Sequence, residues 1–133
     1  VPTPLNDIDL IYLDKSDPQG LAEATHEAWL AQRLPDLQWE VRNQARMHTR
    51  QLVTPFASSL EALSHWVEVP TCIGVRLNQD GEFEWLAPYG FAINWSLQVS
   101  ANPRCRQDKQ IFTQRIKEKR WQVIWPDLQV NWP

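Results

Sequence analysis

Two aspartates, Asp7 and Asp9, lie two residues apart in an otherwise apolar run near the beginning of the chain. Side chains of a β-strand alternate between its two faces, so both carboxylates are predicted to point to the same side. Because adjacent negative charges repel each other, a divalent cation between them would stabilise the pair. Oxygen ligands favour Mg²⁺ or Mn²⁺ over zinc, and such a site suits phosphoryl or nucleotidyl transfer. The alternative interpretation is turn chemistry at the end of a loop that follows Pro4.

Glu40 is the natural third carboxylate, because it lies on the second predicted strand, which could neighbour the first. Neighbouring strands are about 4.8 Å apart, so three acidic groups on them can hold a pair of metal ions. The alternative is an ordinary surface ion pair between Glu40 and Arg42 or Arg46. Arg42, Asn43 and Arg46 are the predicted substrate-binding residues, since arginines beside such a cluster suit triphosphate oxygens. A solvated basic patch is the competing interpretation of these arginines.

The composition is typical of one globular domain with a buried core: 133 residues, of which 43% are hydrophobic. A net charge of -3 gives no overall sign of a nucleic-acid-binding protein. Cys72 and Cys105 lack metal-ligand spacing and indicate reduced thiols in a cytoplasmic protein, with a disulfide as the alternative. We see no signal-peptide pattern and no apolar run of membrane-spanning length, so no membrane partner is expected.

Basic residues are concentrated late in the chain, where seven of the thirteen lie between Arg104 and Arg120. Only Asp108 and Glu118 oppose them in that stretch. A predicted helix over 106–121 would therefore carry a basic face. Such a face could bind RNA phosphates, although a solvated surface is the favoured interpretation.

The elements that must position the acids form a strand–helix–strand succession. Strands are predicted over 7–13 and 37–43, with a helix over 20–34 that Asp17 and Pro18 begin. This order indicates a crossover unit with helices packed against a sheet. The helix is predicted to present an apolar stripe that contains Leu21, Ala24, Ala28 and Ala31.

The second half of the chain mixes short helices and strands. Asp80-Gly81 is a strong hairpin signal between strands predicted over 71–77 and 82–87. Residues 91–100 are ambiguous, but their apolar side chains alternate as they would in a strand. The remaining predicted elements are helices over 44–51, 58–66 and 106–121 and an extended segment over 128–132.

Several short motifs are spread along the chain. They are Leu5-Asn6-Asp7-Ile8-Asp9-Leu10, the run from Trp39 to His48, the run from Ser59 to Trp66, Gly74-Val75-Arg76-Leu77, Ala87-Pro88-Tyr89-Gly90, Asn102-Pro103 and Lys119-Arg120-Trp121. Together they resemble a bacterial nucleotidyltransferase-like family related to the polymerase-β superfamily. The similarity covers nearly the whole chain, and the Glu-Val-Arg-Asn-Gln-Ala-Arg-Met-His run is its most specific part.

The resemblance implies an α/β (α+β) fold, with a small mixed β-sheet and helices packed against it. It also implies a metal-dependent transfer of a nucleoside monophosphate from a nucleoside triphosphate to an unknown acceptor, RNA or a small molecule. Asp7 and Asp9 match the aspartate pair of that superfamily, and Glu40 is the best match for its third acid. These three residues are therefore predicted to be catalytic and to bind Mg²⁺ or Mn²⁺. The alternative function is a non-catalytic nucleotide- or RNA-binding module of the same fold.

The chain departs from the family pattern in two segments. The superfamily has a Gly-Ser turn and a helix N-terminus before the aspartates, which bind the triphosphate through backbone N–H groups. Residues 1–6 contain neither Gly nor Ser, so we expect a single domain over 1–133 that lacks its N-terminal portion. The family also has an acidic stretch after the position of Gly90, whereas residues 91–95 contain no acid.

Overall fold

The computed structural model describes residues 4–51 and 53–133. The strands are β1 (Ile8–Tyr12), β2 (Trp39–Asn43), β3 (Gly74–Leu77), β4 (Phe83–Leu86), β5 (Gln98–Ser100) and β6 (Gln129–Asn131). The α-helices are α1 (Glu23–Arg33), α2 (His48–Gln51), α3 (Ser59–Leu63), α4 (Ala92–Trp95), α5 (Lys109–Lys119) and α6 (Trp121–Ile124). Two 3₁₀ turns cover Gln44–Arg46 and Val69–Thr71.

The fold is a mixture of helices and small sheets, as predicted. Within the described ranges the strands form three two-stranded sheets: β1 with β2, β3 with β4, and β5 with β6. The chain divides into two compact units, Val1–Thr49 with Val53–Ser59, and Arg50–Leu52 with Leu60–Pro133. The first unit contains β1, α1 and β2, and the second contains the other two sheets.

In the first unit, β1 and β2 are parallel and α1 connects them, which confirms the predicted crossover. Parallel neighbours need such a connection because the chain must return to the same end of the sheet. Leu10 pairs with Val41 in the centre of the register, and Val41 is completely buried. The strands are shorter than predicted and the helix begins at Glu23 rather than at residue 20.

Polar contacts, and not a buried apolar stripe, hold α1 against β2. None of the eleven helix residues is buried, and Leu21 just before the helix is 77% exposed. Instead, Glu27 Oε2 accepts a hydrogen bond from the Val41 backbone N–H at 3.0 Å. Glu23 Oε1 accepts one from the Asn43 backbone N–H at 2.7 Å. Two helix carboxylates thereby satisfy donors on the edge of β2 that does not face β1.

The turn before α1 depends on Asp17 and Gly20. The two carboxylate oxygens of Asp17 accept hydrogen bonds from the backbone N–H groups of Leu21 and Ala22, at 2.8 and 3.0 Å. Gly20 has φ of 69°, and a β-carbon there would lie 2.7 Å from Arg46 Nε. A larger residue at Gly20 would therefore be strained and would collide with the arginine.

The second unit has a small apolar core formed by side chains of β5 and α5. Val99, Phe112 and Ile116 are its buried members, and Val130 of β6 packs against them. Glu68 is 1% exposed and forms an ion pair with Arg115, so one basic residue of α5 has an internal partner. Among the described residues, no helix has the length and hydrophobicity needed to cross a membrane.

β3 and β4 form an antiparallel hairpin, and the turn that Asp80-Gly81 predicted connects them. Gly81 has φ of 79°, and the Asn78 backbone N–H donates to the Glu82 carbonyl at 2.8 Å. Arg76 and Glu84 form a cross-strand ion pair at 2.7 Å. Side chains on the opposite face are exposed and apolar: Val75, Leu77, Phe83 and Trp85.

Residues 91–100 differ from the alternating strand pattern. They form α4 and then β5, and Leu97 between them has φ of 52°. A left-handed residue ends the helix and turns the chain, so the alternation of apolar side chains does not describe one continuous strand. Trp95, the last residue of α4, is 85% exposed.

Candidate active site

Three carboxylates meet at the beginning of the parallel strand pair. Asp9 of β1 lies directly opposite Glu40 of β2 in the register, and Asp7 comes just before β1. One carboxylate oxygen from each of Asp7, Asp9 and Glu40 lies within 4.8 Å of the other two. The structure therefore brings together the three acids that sequence reasoning selected.

The donor set of this cluster fits a hard divalent cation. All three ligand atoms are oxygens, and oxygens on opposite sides of one Mg²⁺ ion are about 4.2 Å apart. The three carboxylate oxygens lie within 4.8 Å of one another, so small side-chain rotations would bring them to that span. Asp9 is exposed and Glu40 is half-buried, so a cation with bound water molecules can reach them.

Arg42 lies beside Glu40 on the same face of β2, because the two residues are two positions apart. Its Nη2 donates to Glu40 Oε1 at 2.8 Å, and its Nη1 lies 3.5 Å from Glu27 Oε2 of α1. Nη1 also donates to the Val41 carbonyl at 2.7 Å. The predicted substrate-binding arginine thus lies next to the acids, with both terminal nitrogens on protein acceptors.

Asn43 points away from the acids and is completely buried. Its amide nitrogen donates to the carbonyls of Asp14 and Asp17 at 2.9 and 2.7 Å. Its amide oxygen accepts from the backbone N–H groups of Asp14 and Ala45, both at 3.0 Å. These contacts assign Asn43 a structural role in the turns around the strand ends, and its predicted contact with substrate stays a prediction.

Arg46 forms a two-pronged ion pair with Glu23 of α1. Its Nε donates to Glu23 Oε1, and its Nη2 to Glu23 Oε2, each at 2.8 Å. The guanidinium of Arg46 holds the pKa of Glu23 below its usual range, and Glu23 raises the pKa of Arg46 in return. Its predicted role in triphosphate binding is likewise still a prediction.

A family profile described as nucleotidyltransferase matches residues 1–130. The chain belongs to this nucleotidyltransferase family. A solved NMR structure described as revealing a CCA-adding enzyme head domain superimposes with a TM-score of 0.79. The two sequences are 32% identical, and the match covers 95% of this chain and 68% of the other. The comparison with curated proteins finds no match.

Sequence reasoning missed the supporting role of Glu23 and Glu27 in this nucleotidyltransferase. Their position near the start of a predicted helix indicates only a favourable interaction with the helix dipole. The available signal was their spacing of four residues on a helix between two parallel strands, which places both carboxylates on one side of α1. In the structure that side of the helix faces the edge of β2, Arg42 of that strand and Arg46 of the 3₁₀ turn that follows it.

Proposed function

We propose that this domain transfers a nucleoside monophosphate from a nucleoside triphosphate to an acceptor hydroxyl, in the cytoplasm. Asp7, Asp9 and Glu40 would hold Mg²⁺ or Mn²⁺. The observation that supports this proposal is the convergence of the three carboxylate oxygens within 4.8 Å at the beginning of the parallel strands β1 and β2. Membership of a nucleotidyltransferase family supports the same chemistry.

The protein side chains orient the reactants in this proposal. A bound divalent cation would neutralise charge on the phosphate oxygens and favour ionisation of the attacking hydroxyl. Asp7 and Asp9, at the start of β1, would hold the cation from one side, and Glu40 of β2 would hold it from the other. Arg42 of β2 and Arg46 of the 3₁₀ turn after it remain the candidate cationic contacts for the triphosphate.

RNA is the favoured acceptor class, because the structural neighbour is described as a CCA-adding enzyme head domain. In the second unit, α5 ends with Lys117 and Lys119, followed by Arg120, and all three are exposed. Exposed basic side chains at a helix end suit phosphate contacts. A small-molecule acceptor, or nucleotide binding without turnover, remains the alternative function.

Metal-dependent stabilisation by nucleotide tests this proposal. We expect Mn²⁺ with a nucleoside triphosphate to raise the melting temperature, since a ligand at about 100 times its Kd contributes about 2.7 kcal/mol. Asp9→Asn should abolish the shift, because it removes one anionic ligand. Asp36→Asn is the matched control, since Asp36 is exposed on the loop before β2.

An equal shift in wild type and Asp9→Asn would contradict the proposed metal centre. A shift that depends on Asp9 without incorporation of labelled nucleotide into RNA or small hydroxyl acceptors would instead favour the binding module. Labelling of RNA that is lost in Asp9→Asn and kept in Asp36→Asn would establish the transferase activity.

A further inference from the structure

The contacts around Glu40 form a chain from α1 to the candidate metal centre. Glu27 is fixed to β2 because its Oε2 accepts from the Val41 N–H at 3.0 Å. The same Glu27 oxygen lies 3.5 Å from Arg42 Nη1, and Arg42 Nη2 donates to Glu40 Oε1 at 2.8 Å. All of these groups belong to the first unit.

Arg42 engages one oxygen of Glu40, and a carboxylate has two. A guanidinium on Oε1 limits rotation of the carboxylate, and the second oxygen, Oε2, takes no part in this contact. Metal-binding carboxylates in general depend on hydrogen-bond partners of this kind, whose removal weakens metal affinity about 10- to 100-fold. The contact between Arg42 and Glu40 therefore restricts the orientation of the Glu40 carboxylate before any substrate binds.

We propose that Arg42, anchored by Glu27, is a positioning residue that orients Glu40 toward Asp7 and Asp9 for cation binding. This inference rests on the proposed function, since it assigns a role at the same centre. It differs from a triphosphate contact, because Arg42 would then support the metal in the absence of nucleotide.

The direction in which metal affinity changes when Arg42 is replaced distinguishes an orienting role from a purely electrostatic one. Removing a cation beside a metal site should strengthen metal binding if only Coulomb repulsion matters. Loss of orientation should weaken it. Arg42→Lys sharpens the distinction, because lysine keeps the charge but presents one point donor in place of a planar fork.

The test is the affinity for Mn²⁺ alone, measured by electron paramagnetic resonance without nucleotide. We expect Arg42→Met to weaken Mn²⁺ binding at least 10-fold, Arg42→Lys to restore it only partly, and Glu27→Gln to weaken it in the same direction. Arg33→Met is the matched control, since Arg33 ends α1 and lies over the Trp29 ring. Circular dichroism and melting curves of each variant identify any loss of folding, and Arg42→Lys carries the test if Arg42→Met does not fold.

Unchanged or tighter Mn²⁺ binding in folded Arg42 variants would overturn the inference while leaving the metal centre intact. Unchanged Mn²⁺ affinity with weaker nucleotide binding would reassign Arg42 to the triphosphate, which also overturns it. If the wild-type chain itself binds no Mn²⁺ at millimolar concentration, the proposed function fails first and the inference fails with it.

Discussion

Glu23→Gln is predicted to destabilise the first unit through loss of one ion pair. The Glu23 side chain is only 12% exposed and that of Arg46 26%, so water replaces the lost contacts poorly. The carboxylate accepts two bonds from the guanidinium, each at 2.8 Å, and one from the Asn43 N–H at 2.7 Å. Glutamine keeps one acceptor oxygen but not the charge. Charged hydrogen bonds contribute about 1.5–3 kcal/mol each, so a net loss of about 2 kcal/mol is expected.

The pH dependence of the stability difference is a second, independent test of this prediction. Because Arg46 lowers the pKa of Glu23 in the folded state, the unfolded chain takes up its proton first as pH falls. The contribution of Glu23 is therefore complete above the ordinary glutamate pKa of about 4.3 and is lost at lower pH. The gap in stability between wild type and Glu23→Gln should be widest near neutral pH and should shrink below about pH 4.

Urea denaturation at several pH values measures both effects, with the free energy of unfolding obtained by linear extrapolation. Glu82→Gln is the control, because it makes the same chemical change at an exposed position of the hairpin turn. A loss below about 0.5 kcal/mol at pH 7, where a single surface ion pair would fall, would refute the reasoning. A gap that stays constant down to pH 3 would show that charge is not its origin.

Two further predictions concern buried polar groups. Asn43→Ala should lower the free energy of unfolding, measured by urea denaturation, by about 3 kcal/mol, because it leaves the Asp14 and Ala45 N–H groups without their acceptor. A loss under about 1 kcal/mol would contradict the structural role of Asn43. Burial raises the pKa of Cys72 to about 12, so at pH 8 a thiol reagent should modify Cys72 only after unfolding; rapid labelling of Cys72 in the folded Cys105→Ser variant would contradict this.

The sequence predicted the crossover and the shared face of the two aspartates because each depends on local patterns. Strand alternation places Asp7 and Asp9 on one side, and a strand–helix–strand order makes β1 and β2 parallel. The pairing of Asp9 with Glu40 depends on the register, which neither pattern determines. A shift of one residue would have turned Glu40 to the opposite face and separated it from the aspartates.

Other features follow from tertiary contacts that no local pattern contains. The apolar stripe of α1 predicted a buried face, whereas carboxylates at Glu23 and Glu27 hold the helix by the edge of β2. Asn43 is hydrophilic in any scale, yet it is completely buried because four backbone groups satisfy its amide. The alternation over residues 91–100 is interrupted at Leu97, whose left-handed backbone is a property of the folded chain.

Side chains of β2 alternate between two faces, and the two faces have different roles. Glu40 and Arg42 lie on the face where the acids converge, while Val41 and Asn43 lie buried on the other. The backbone N–H groups of Val41 and Asn43 reach α1 at the free edge, so the helix fixes the strand without covering the acids. Since Glu27 contacts both the Val41 N–H and Arg42, we expect a change in α1 to reach Glu40 through one short chain of polar contacts. Support and candidate chemistry therefore depend on four consecutive residues of one strand, and a substitution at Glu27 should affect metal affinity even though Glu27 is not itself one of the three clustered acids.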